Sequence, residues 1–143
     1  MSLYQMIFWE STMKKKKLLF DTHTFLWLDS SPEKLSTVAF KACEEIDNEL
    51  YLSVVSVWEI LIKTKINRLQ LQVPIKELIE RHRKENDLKL LSVELHHVYA
   101  LESLPLHHKD PFDRLLIAQA ISEQMSLVSV DEKFNQYPVE IIW

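Results

Sequence analysis

LLFDTHTFLWL, residues 18–28, opens with three apolar side chains and stops at an acid, Asp21. A run this short fits a buried strand, and an acid directly behind it stands at the strand's carboxyl end. The same form returns in LVSVDEKF, residues 127–134, where Leu127-Val128-Ser129-Val130 stops at Asp131. Between these two stretches lie a second apolar run, Leu50 to Val54, and a weaker third, Leu88 to Val93; a last short one covers 139–142. Helical patterns separate the runs: Ser36 to about Asn48, VWEILIKTKI after the second run, Ile75-Leu78-Ile79-His82 behind Pro74, Leu95-Val98-Leu101, and Arg114 to about Gln124. Strands alternating with helices predict an α/β fold around a mainly parallel sheet. The stretch LLIAQAI is apolar nearly all round, so its helix should be central and buried. Asn67 stands where a helix must end, and in a chain without glycine it is the best remaining residue for a left-handed turn.

The chain has 143 residues, enough for one domain with one core. No repeat, low-complexity tract or linker divides it. Residues 1–12, MSLYQMIFWEST, fit poorly with the strand–helix rhythm of the rest of the chain, and Met13 before KKKKLLFD reads as a natural start. The expectation is an N-terminal extension over 1–12 and a domain over 13–143, with deletion of the extension harmless to folding and activity. A single cysteine, Cys43, excludes an intrachain disulfide and the cysteine-rich zinc sites, and it suits a reducing, cytoplasmic setting. No apolar run approaches the length that spans a bilayer, so no membrane partner is expected. The absence of glycine removes the Gly-rich phosphate loops of nucleotide-cofactor folds. A net charge of −4 weighs against a passive, charge-driven binder of nucleic acid. It weighs less against an enzyme that gathers its negative charge at a metal.

Parallel sheets bind ligands at the carboxyl ends of their strands. Asp21 and Asp131 fall there directly. Glu59 lies early in the helix after the second strand, and Asp113 early in the buried helix before the fourth. If the four converge, their mutual repulsion calls for a hard divalent cation with oxygen ligands, Mg²⁺ above all. Each acid also has a plain structural reading. Asp110-Pro111 looks like an N-cap with proline at the first helical position, and Asp113 would sit at the third, where a carboxylate favours the helix dipole. Ser56 and Glu59 match the S-x-x-E capping box. Asp21 and Asp131 suit strand-end turns. Lys109, Arg114, Lys63 and Lys65 are candidates for phosphate contacts or members of a solvated face. His23, His107 and His108 flank the proposed pocket, where a histidine is more often a hydrogen-bonding or packing residue than a ligand. Trp27 and Trp58 lie in strongly apolar segments, which favours packing.

Four blocks, LLFDTHTFLWL (18–28), SVVSVWEILIK (53–63), HHKDPFDRLLIAQA (107–120) and LVSVDEKF (127–134), resemble in content, order and spacing the PIN-domain family, and more narrowly VapC-like toxins of type II toxin–antitoxin modules. The resemblance runs from about Lys14 to the C-terminus. It implies a three-layer α/β/α sandwich and an Mg²⁺- or Mn²⁺-dependent endoribonuclease leaving 5′-phosphate and 3′-hydroxyl ends. Asp21, Glu59, Asp113 and Asp131 match the family's four acids and are the expected catalytic and metal-binding residues. Ser129 matches a position often held by a small hydroxyl residue, and is expected with Lys109 and Arg114 among the substrate contacts. Asp110 belongs to the subgroup's DPFDR block and fits capping better than ligation. RNA as substrate, a cognate antitoxin and a homodimer are the implied partners. Two other readings remain: a PIN nuclease outside toxin–antitoxin biology, and a non-catalytic, metal-stabilised binding module.

Overall fold

The computed structural model describes residues 1–6 and 15–143, so the expected junction at residues 12 and 13 lies outside the described residues. Five strands form one sheet: β1 (Lys17–Phe20), β2 (Glu49–Ser53), β3 (Lys89–Leu91), β4 (Ser126–Val128) and β5 (Ile141–Ile142). Their order is β3-β2-β1-β4-β5, and every pairing is parallel. The apolar run before Asp21 is the central strand. Leu18 and Leu19 of β1 pair with Leu50 and Tyr51 of β2 on one side, and with Ser126 and Leu127 of β4 on the other. A strand with helices over both faces needs apolar side chains at every position, and Leu18, Leu19 and Phe20 are all fully buried.

The helices are α1 (Thr22–Ser30), α2 (Thr37–Glu44), α3 (Val54–Lys65), α4 (Ile75–Glu85), α5 (Leu95–Ala100) and α6 (Pro111–Ser122). Alternate side chains of β1 feed two cores. Leu18 and Phe20 pack with Phe25 of α1, Ala39 of α2 and Leu78 and Ile79 of α4; Leu19 packs with Leu116, Ile117 and Ala120 of α6. Helices on both sides of one parallel sheet make the three-layer α/β/α sandwich, with α6 buried along Leu116 to Ala120 as its composition predicts. No helix among the described residues is long and apolar enough to cross a membrane.

Without glycine, three helices end through other residues at positive φ: Asn67 (60°) after α3, Asp87 (50°) after α4 and Gln124 (56°) after α6. Around Asn67 the amide of Arg68 donates to Lys63 and that of Asn67 to Thr64; around Gln124 the amide of Met125 donates to Ala120 and that of Gln124 to Ile121. This is the Schellman pattern, which satisfies the last carbonyls of each helix. The expected boundary between the second strand and its helix moves. Strand β2 ends at Ser53, whose hydroxyl accepts the Val55 amide and caps α3, so the helix begins before Ser56. The Ser56–Glu59 capping box is therefore not formed. Glu59 sits in the second turn of α3, where helix capping no longer accounts for it.

Candidate active site

The carboxyl edge of the sheet carries the site. Asp21 follows β1, and its amide donates to Val128 of β4 at 3.2 Å, which extends the central pairing up to the acid. Its two oxygens have separate duties. One, Oδ1, caps α1 by accepting the Thr24 amide at 2.7 Å; the other, Oδ2, accepts the Ser129 hydroxyl. Asp21 is 7% exposed, and burial raises its carboxyl above the ordinary value although Ser129 and Thr24 pull it down. Asp131 is built alike. Its Oδ1 accepts the Lys133 amide at 3.0 Å and caps the 3₁₀ turn Glu132–Gln136, while its own amide donates to Ser129 Oγ at 3.0 Å. Ser129 thus ties the two strand-end acids together.

The helices bring the other two. Glu59 reaches inward from α3, where its Oε1 accepts the Thr22 hydroxyl at 2.6 Å and its Oε2 pairs with Lys63 Nζ at 2.7 Å, one turn along. Asp110 caps α6: its Oδ1 accepts the amides of Phe112 and Asp113 at 2.8 and 3.1 Å. That cap fixes the first turn and with it Asp113. Burial pushes the Asp113 carboxyl up to about 7, helped by the negative charges of Asp110, Glu59, Asp21 and Asp131. His108 closes the set from the loop before α6. Its Nε2 lies 2.9 Å from Asp113 Oδ2 and 3.3 Å from Asp131 Oδ2.

All four expected acids line one cleft of about 290 Å³, together with Asp110, His23, Trp27 and Lys63. The structural readings of Asp21, Asp110 and Asp131 hold as well: each caps with its Oδ1, while Oδ2 of Asp21 accepts the Ser129 hydroxyl and Oδ2 of Asp131 meets His108. Five carboxylates against one ammonium leave a large negative surplus, the condition in which hard cations bind. Oxygens of Asp113 and Asp131 and a ring nitrogen of His108 all lie within 4.8 Å of one another.

The expected substrate contacts fare differently. Lys109 is exposed beside the site. Arg114 turns inward, its guanidinium donating to the carbonyls of Leu101, Leu104, Pro105 and His108, so that it braces the loop before α6 instead of facing the cleft. Ser129 is buried beneath the acids and orients Asp21 and Asp131. Trp58 is no core residue: it is 58% exposed and packs edge-on against Phe112. Sequence reasoning missed Thr22, the partner of Glu59; it named His108 among the flanking histidines as a hydrogen-bonding or packing residue, without its partners. Thr22 directly follows the first acid, and His108 stands two residues before the helix cap; adjacency to the acids was the one signal the sequence held.

Known proteins resemble this chain in sequence and fold. A family model described as PIN domain matches residues 18–140. Ribonuclease VapC22 of Mycobacterium tuberculosis is 26% identical over 121 residues, covering 84% of this chain and 91% of that protein. Among solved structures, VapBC2 of Rickettsia felis bound to a DNA fragment from its promoter superposes with a TM-score of 0.67 at 13% identity, over 87% of this chain and 96% of that one. A toxin–antitoxin complex from Klebsiella pneumoniae gives a TM-score of 0.51 at 16% identity, over 85% and 92%. With nearly the whole described domain matched, and the acids gathered where parallel sheets hold their ligands, the chain belongs to the PIN domain family.

Proposed function

We propose that this protein is a divalent-metal-dependent endoribonuclease, the toxin of a type II toxin–antitoxin pair, with Asp21, Glu59, Asp113 and Asp131 as its catalytic acids. One observation carries the reading: carboxylates from four separate elements meet in one cleft, where burial and then the neighbouring acids push the Asp113 carboxyl up to about 7. Such a set suits Mg²⁺, with Mn²⁺ as an alternative, through Asp21, Asp113 and Asp131, and with Glu59 ligating or orienting bound water. A divalent cation held by these acids would supply an activated water and charge stabilisation for the departing oxygen of a phosphodiester. The chain's own part is positioning. Thr24 and Ser129 fix the Asp21 oxygens, Thr22 and Lys63 fix Glu59, and the α6 cap fixes Asp113. Lys63 and Lys109 are placed to meet phosphate at the cleft and beside it.

The partner reading follows the relatives. VapC22 is a ribonuclease by name, and the Klebsiella structure is a toxin–antitoxin complex. On this chain Trp58, Leu61 and Ile62 form an exposed apolar face on α3, the helix that carries Glu59. An antitoxin segment laid there would reach the cleft mouth; a second copy of the chain completes the expected assembly. The deciding experiment incubates purified protein with an RNA panel in Mg²⁺, in Mn²⁺ and in EDTA, then maps the ends. Cleavage with 5′-phosphate and 3′-hydroxyl ends, lost in EDTA and reduced at least about a hundredfold in Asp21→Asn, is the expected result. Intact RNA under every metal condition would overturn it.

A further inference from the structure

His108 touches the acids but does not line the cleft. It is 6% exposed and stands outside the cleft lining, whereas Asp113 and Asp131, which its ring touches, both line the cleft. Its Nε2 donates to Asp131 Oδ2 at 3.3 Å and stands 2.9 Å from Asp113 Oδ2. Its Nδ1 faces the Asp110 amide at 3.3 Å. A backbone amide can only donate, so Nδ1 is the acceptor and the ring hydrogen of neutral imidazole is on Nε2. A nitrogen carrying hydrogen has no lone pair for a cation. The three-residue group is close enough to hold an ion, yet this contact keeps His108 from serving as its ligand.

The ring is also fixed. Tyr137 Oη accepts the backbone amides of His107 and His108 at 3.1 and 2.9 Å and donates to the Pro105 carbonyl at 2.7 Å. Phe134 packs on the imidazole with centroids 5.5 Å apart. We infer that His108 is a positioning residue for the metal site: its Nε2–H, pinned outside the cleft lining, draws the Asp113 and Asp131 oxygens together and leaves their open sides to the cation. This rests on the proposed role of the cleft as a metal site. Outer contacts of this kind are worth about 10- to 100-fold in metal affinity.

The test is Mn²⁺ binding to the full-length protein by calorimetry, for wild type, His108→Leu, His108→Gln and Tyr137→Phe, with melting in EDTA alongside. Leu keeps bulk and loses the donor; Gln restores an N–H near the position of Nε2. His108→Leu is expected to bind at least about tenfold more weakly, His108→Gln within about threefold of wild type, and Tyr137→Phe in between. A purely structural role would lower the melting temperature in EDTA and leave the affinity of folded protein unmoved. Should His108→Leu not fold, Tyr137→Phe carries the test, and unchanged affinity there overturns the inference. Equal loss in the Leu and Gln variants overturns it in favour of direct ligation. Wild-type-like binding by His108→Leu overturns it alone. Failure of wild type to take up Mn²⁺ overturns the metal reading first, and this inference with it.

Discussion

Asp113 is the side chain whose environment asks most of it. With its carboxyl pushed up to about 7 by burial and four neighbouring acids, it holds a proton in the folded protein over a range where the unfolded chain has lost it. The native state then binds more protons, so stability falls as pH rises. The contribution is complete below the ordinary value of 3.8 and is gone once pH passes the folded value. In EDTA the melting temperature should decline between about pH 4 and pH 7, and Asp113→Asn should flatten that decline. On the proposed metal reading the balance reverses, because ligation by Asp113 would need the anion. Mn²⁺ uptake at about pH 6 should release a proton that is absent at about pH 8, which calorimetry in buffers of different ionisation enthalpy reads directly. The four acids were legible in the sequence because each interrupts a regular pattern. Thr22 was not, and for Ser129 and His108 the residues were named but not their partners, since these roles depend on neighbours that only the fold supplies: Glu59 is the partner of Thr22 across two helices.

Elements hold these side chains in place through their ends. Helix α6 starts at the Asp110 cap with Pro111 in its first position, and Asp113 rides in that first turn. Asp110→Ala should cost about 1 kcal/mol while Asp110→Asn, which can still cap, costs little; denaturant melts of the two variants separate them. At the other end of α6, Gln124 sits in the left-handed region, where a side chain carries a steric penalty. Gln124→Gly should relieve it and raise stability by about 1 kcal/mol, less the entropy glycine loses on folding. A loss of stability would mean that the Gln124 side chain makes a compensating contact. Strand runs and the buried helix could be read from apolar content alone. The start of α3 could not, because Ser53 and Ser56 both precede helical residues and only the paired length of β2 selects Ser53. Asn67 was readable for a simpler reason: the chain offers no glycine for the turn.

At the scale of the molecule, the proposed metal site would couple metal binding to the fold. A cation that binds only the folded cleft stabilises it by about 3 kcal/mol at roughly a hundred times its dissociation constant. Thermal melts should therefore rise with Mg²⁺ and fall back in EDTA, and Asp21→Asn should blunt the shift. The parallel order β3-β2-β1-β4-β5 was beyond the sequence, since every neighbour is reached by a crossover and no hairpin fixes a register. That order has a consequence for the making of the protein. The central strand emerges early from the ribosome but pairs with β4, almost the whole domain later, Leu18 against Ser126. Closing so long a loop is slow, and nothing shorter can substitute for it. Asp131 and Asp21 share Ser129 only after that closure, so the proposed cleft stays incomplete until nearly the whole domain has been made.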